Sequence, residues 1–189
     1  MLKDFLKQYI KSQASYVELG YAQVEPNHLS AQRTGQIYAQ LIADKNINII
    51  ENGQFMKYDY SNRKASLDGT VEGEWLLVYN EEKLYDPRKQ EYKHFALQKD
   101  DFVDKEMVPR LFKTNIGDIF TTNTLGANTS DTATTQAFTV KKDDLMQVGT
   151  NGYLEVVAAS ATPKAPVFKV VEITDLADEQ KAVKLQRVQ

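Results

Sequence analysis

From Asn46 onward the chain is written in short apolar runs of a few residues, each closed by a turn signal, and no stretch sustains a helical period. "INII", "QFMKYDY", "EWLLVYN", "KLYD", "YKHFALQ", "PRLFK", "GDIFTTN", "QAFTV", "DLMQV", "YLEVVAA", "APVFKVVEI" and "KAVKLQRV" follow one another at close spacing. Runs of this length bounded by glycine, proline and asparagine are strands, and many of them in series specify an antiparallel, half-buried sheet that forms a barrel or a sandwich. Alternation supports the reading: Met56, Tyr58 and Tyr60 alternate with Lys57 and Asp59, and Val183 and Leu185 with Lys184 and Gln186. In "VFKVVEI" the same period puts Val167, Val171 and Ile173 on one face with Lys169. Asn52-Gly53 between apolar runs predicts a hairpin, because both central residues of a type I′ turn need positive φ. Gly149-Thr-Asn-Gly152 predicts a second one inside "LMQVGTNGYLEVV".

The first 40 residues differ. Leu2, Phe5, Leu6, Tyr9 and Ile10 recur at i, i+3, i+4, i+7 and i+8, one stripe of a short amphipathic helix. Lys3, Asp4, Lys7 and Lys11 interrupt any apolar stretch, so a signal peptide is not expected. No run approaches the roughly 18 to 20 apolar residues of a membrane span, and a soluble or assembled protein is expected. After Ser15 the segment "YVELGYAQVEPNHLS" reads as an irregular arm, and "RTGQIYAQLIADKN" suits either a second helix or an extended entry into the fold. Three helical turns are marginal alone in water. The stripe therefore needs a surface to dock on, in its own domain or a neighbouring subunit.

The predicted organisation is an N-terminal arm over residues 1–40 and a β-rich domain over 41–189. The β region is one antiparallel barrel or sandwich, or two small β subdomains meeting in a Thr-rich loop at 121–136. That loop, "TTNTLGANTSDTATTQ", is nearly uncharged and poor in large apolar residues, and is predicted to be exposed.

Reactive chemistry is sparse. With 189 residues, no cysteine and a formal net charge of −3, the chain has no thiol chemistry and no broad positive field for a polyanion. His28 and His94 stand in no metal-ligand spacing. The run "DDFVD", Asp100 to Asp104, has the oxygens a hard cation prefers, but Lys99 and Lys105 flank it and a hydrated strand connection is expected. Glu81, Glu82 and Glu155 form no pair that spacing selects for glycoside chemistry. GxSxG, a phosphate loop and a dinucleotide fingerprint are all missing from the sequence, and Gly149-Thr-Asn-Gly152 opens a strand where a phosphate cradle needs a helix. No catalysis and no cofactor are expected.

Taken together, "ENGQFMKYDY…GEWLLVYNEEKLYD", "NIGDIFTTNTL", "VKKDDLMQVGTNGYLEVV" and "PVFKVVEITDLADEQKAVKLQRV" resemble the small β-rich head proteins of tailed bacteriophages over Asn48 to Val188. Such chains are similar in their "IGDIFTTN" run, in a hairpin of the form "NGYL", and in a closing strand pair. The long Thr-rich insert after Asn123 departs from that pattern. The resemblance implies a decoration or auxiliary capsid protein of the virion shell, made in the bacterial cytoplasm. It would bind the major capsid protein and copies of itself, without membrane or nucleic-acid partners. Phe5, Tyr9, Ile10, Tyr16, Leu19 and Tyr21 of the arm are the expected partner-binding residues, since aromatic side chains give large contact area at small rotamer cost. Two alternatives stay open: a neck or tail ring component, and a small barrel that stacks single-stranded nucleic acid on Phe55, Tyr58 and Tyr60.

Overall fold

The computed structural model describes residues 22–31, 37–38, 41–80, 96–126, 139–176 and 179–189. The predicted helix and all six partner-binding residues, Phe5, Tyr9, Ile10, Tyr16, Leu19 and Tyr21, lie outside them.

The fold is all-β, in three sheets. Strands β1 (Val24–His28), β2 (Ile37–Tyr38), β3 (Ile42–Ala43), β4 (Ile49–Ile50), β5 (Phe55–Asp59), β6 (Lys64–Ser66) and β7 (Trp75–Val78) come first. They are followed by β8 (Leu97–Gln98), β9 (Leu111–Phe112), β10 (Ile119–Thr122), β11 (Leu145–Val148), β12 (Leu154–Val156), β13 (Val167–Asp175) and β14 (Lys181–Arg187). The first sheet has the order β1-β10-β14-β13-β11-β12, the second β2-β9-β7-β5-β6-β3, and the third is the pair β4-β8. Every described strand pairing is antiparallel except β3 with β6, and an isolated bridge joins Leu125 and Leu154 in parallel. The sheets do not close into a barrel among the described residues, and helix is limited to brief turns such as Lys99–Asp101.

Layering explains the residue pattern. Phe55, Leu77 and Phe112 of the second sheet share a buried cluster with Phe120, Met146, Phe168, Val170, Val183 and Leu185 of the first. The opposite face of the second sheet supplies Met56, Tyr58, Leu76, Val78 and Leu111 to another cluster, with Ile50 of β4 and Met107. Covered on both sides, β5 and β7 must be apolar at consecutive positions, which is why "WLLV" does not alternate. β14 is covered on one side only, and its alternation is kept: Val183 and Leu185 are buried, Lys184 and Gln186 half-buried.

Several expectations need correction. Asn52-Gly53 does turn the chain, with Gly53 at φ +85. However, β4 leaves to pair with β8, while β5 pairs with β6 and β7, so no hairpin forms there. The expected inward face of β13 is also displaced. Val167 is buried, but so are Phe168 and Val170, while Val171 and Ile173 are exposed; Val170 stands opposite buried Leu185, so the even positions face the core up to the bulge between Val170 and Glu172. The Thr-rich segment begins inside the fold: Thr121, Thr122, Asn123 and Thr124 are buried, so the predicted exposed loop cannot start at 121. Within the segment assigned to the arm, Val24–His28 and Ile37–Tyr38 are strands paired to β10 and β9. Of "RTGQIYAQLIADKN", residues 37–38 and 42–43 are strands, while 33–36 and 39–40 lie outside the described residues.

Candidate functional site

Three polar features emerge. The first is a buried seam that joins the sheets. Tyr153, which follows the Gly149–Gly152 turn, donates its hydroxyl to Glu51 Oε2 at 2.5 Å, and both residues are fully buried. The Glu51 amide donates to Gln54 Oε1 at 2.7 Å, and Gln54 Nε2 donates to the Asn151 carbonyl at 3.0 Å. On the other side of the turn, Thr124 Oγ1 donates to the Asn52 carbonyl at 2.6 Å, and Thr122 Oγ1 to the Gln23 carbonyl at 2.6 Å. The Gly53 amide donates to Val78 at 2.9 Å, and Val78 returns a bond to Gln54 at 2.7 Å. Buried polar groups cost free energy unless they are paired, and here one turn, one strand end and one hairpin satisfy each other. The seam is a fastening for the two large sheets.

The second feature is a surface groove of about 550 Å³ lined by Asp44, Asp59, Asp68, Asn62 and Lys64, among others. Its carboxylates serve their own turns. Asp59 accepts from the Asn62 amide at 2.9 Å and from Asn62 Nδ2 at 2.6 Å, and these bonds hold its carboxyl below the ordinary value of 3.8. Asp68 accepts from the Thr70 amide and hydroxyl, both at 2.8 Å, with the same effect. Among the described residues no group of three or more His, Asp or Glu is placed to hold a metal ion. In the "DDFVD" run, Asp100 pairs with Lys105 at 2.7 Å, and that bond lowers its carboxyl.

The third is a recess of about 190 Å³ bordered by Tyr38, Tyr58 and Tyr60 with Glu72, Glu74 and Lys113. Tyr58 lies edge-on to Tyr38 and to Tyr60, with ring centroids 5.6 Å apart in each pair.

The residues singled out from sequence are not gathered. His28 is exposed at the end of β1, while His94, Glu81 and Glu82 lie outside the described residues. Glu155 is half-buried and lies so close to Gly149 that a Cβ there would overlap its carboxyl group. The proposed base-stacking platform is dismantled: Phe55 is fully buried, Tyr58 is 6% exposed, and Tyr60 alone of the three is open, at 67%. The seam was not foreseen, because its partners lie 72 to 102 residues apart in the bonds Thr124–Asn52 and Tyr153–Glu51. Composition carries no signal for such pairs.

Fold and site together define an all-β protein of layered sheets, fastened by buried polar bonds. Comparison with known protein families, curated proteins and solved structures finds no match.

Proposed function

We propose that the protein is a structural component of a tailed-phage head that decorates or cements the shell by binding the major capsid protein, without catalysis. The observation that carries this reading is where the resembling stretches fall. "NIGDIFTTN", "LMQVGTNGYLEVV" and "PVFKVVEITDLADEQKAVKLQRV" supply β10, β11, β12, β13 and β14, five strands of the six in the first sheet. Leu145, Val156, Val171 and Ile173 of the same sheet are exposed aliphatics that can each make a weak contact. Weak contacts of this kind, repeated by shell symmetry, accumulate avidity without any reactive group. The rival reading as a nucleic-acid-stacking barrel loses its support with the burial of Phe55 and Tyr58.

Co-sedimentation with phage heads stripped of this protein tests the proposal. The full chain and a form lacking residues 1–21 are compared, since a longer deletion would remove β1. Saturable binding at a fixed ratio to the major capsid protein is expected, weaker for the truncated form if the arm contacts the shell. Absence of binding to heads by the full chain overturns the assignment, and ring-shaped oligomers seen by electron microscopy would then direct it to the neck or tail.

A further inference from the structure

The tyrosine-bordered recess has the geometry of an aromatic cage. Tyr58 meets Tyr38 at an interplanar angle of 82° and Tyr60 at 81°, so the three rings stand as successive orthogonal faces. Tyr58 belongs to β5 and packs into the outer core cluster, with Tyr38 against it. Tyr58, 6% exposed, is therefore the floor of the recess and half-buried Tyr38 one wall, both fixed by the fold. Tyr60 lies just past the strand end and stays 67% exposed, a large aromatic surface left in water at the mouth.

The charges complete the picture. Glu74 is already engaged, by Lys113 at 3.1 Å and by Arg187 at 2.9 Å. Glu72 is exposed and makes no ion pair among the described residues, while Lys113, which also lines the recess, is drawn to Glu74. A recess of about 190 Å³ has room for an ammonium head with its attached carbons. Aromatic faces attract cations through their quadrupole, and a nearby carboxylate adds to that attraction.

We propose that Tyr38, Tyr58, Tyr60 and Glu72 form a binding site for an organic cation, an alkylammonium or guanidinium head. This site is independent of the shell-binding reading and stands if that reading fails.

The test is an NMR titration of the full-length protein at low salt, following the tyrosine ring resonances. The probes are tetramethylammonium, Nα-acetyl-lysine methylamide, its Nε-trimethyl form, Nα-acetyl-arginine methylamide and the neutral isostere 3,3-dimethylbutanol. Saturable shifts of Tyr58 and Tyr60 with at least one cation, and none with the neutral alcohol, are expected. Tyr60→Leu and Glu72→Gln should each weaken that binding about five- to tenfold while the core resonances stay in place. A preference for tetramethylammonium assigns the site to a free quaternary ammonium, and a preference for an amino-acid probe assigns it to a partner's side chain. Equal binding of dimethylbutanol, no saturable shift with any cation, or unchanged binding by both variants overturns the proposal.

Discussion

Gly53 and Gly117 both have φ in the left-handed region, at +85 and +95, yet their surroundings differ completely. A Cβ on Gly53 would overlap the Thr124 and Thr122 hydroxyls, whereas one on Gly117 would meet nothing within 4 Å. Gly117→Ala should therefore cost about 1–2 kcal/mol from backbone strain alone. Gly53→Ala should cost about 3–5 kcal/mol, because it adds overpacking in the seam. Urea unfolding of both variants checks the difference. Tyr153→Phe removes the hydroxyl from the buried Glu51 carboxyl and should destabilise by about 1–3 kcal/mol, read from the same experiment. Acid sensitivity also belongs to single residues. Asp59, Asp68, Asp100 and Asp143 are held below their ordinary value of 3.8, by hydrogen bonds to Asn62 and Thr70 and by bonds to Lys105 and Lys169. A carboxyl whose value falls on folding stabilises the fold above its unfolded value, and that contribution is lost as pH drops through the folded one. From these four groups, thermal stability measured against pH should be flat through mildly acidic conditions and decline below about pH 4. Asp59→Asn with Asp68→Asn should make that decline shallower.

At the scale of elements, burial decides which strands announce themselves. The alternation in "KAVKLQR" is readable because β14 has one covered face, while "WLLV" is covered on both and shows no period. In β13 apolar residues stand at Val167, Phe168, Val170 and Val171, so alternation alone could not choose the inward face, and the bulge after Val170 carries no compositional mark. The turn at Asn52-Gly53 was legible from local chemistry, but the choice of β8 as partner for β4 is long-range. Threonine and asparagine at 121–124 read as a loop by type, and become interior only through the distant partners Gln23 and Asn52. The tyrosine recess was half-visible: Tyr58 and Tyr60 stand out as alternating strand residues, but Tyr38 and Glu72 arrive from other parts of the chain. Within β13 the buried start and the exposed far end should respond very differently to truncation. Phe168 is fully buried and packs on Phe55 and Phe120, with centroids 5.3 and 5.4 Å away. Phe168→Ala should cost about 3–5 kcal/mol, and Ile173→Ala at the exposed end about 1 kcal/mol or less, both from denaturant midpoints.

For the whole molecule, the division of labour follows the sequence but the core does not. Strands β2, β3, β5, β6, β7 and β9 of the second sheet end at Phe112, and β10 to β14 of the first begin at Ile119. Apart from β1, which belongs to the first sheet, the changeover between sheets falls near residues 113–118. One cluster draws on both sheets, so they should unfold as a unit. Fluorescence of Trp75, in the second sheet, and far-UV circular dichroism should give coincident urea transitions. Separate midpoints would mean two independently stable halves. The placement of β14 adds a temporal consequence. It comes after every other strand in the chain, yet it lies between β10 and β13 in the middle of its sheet. During translation the second sheet can assemble while Phe55, Leu77 and Phe112 still face solvent, and the strand that joins the halves of their cover emerges after the other described strands. A nascent chain that has not yet extruded β14 presents that sticky surface to every neighbour, and is covered only once Lys181–Arg187 can insert between β10 and β13.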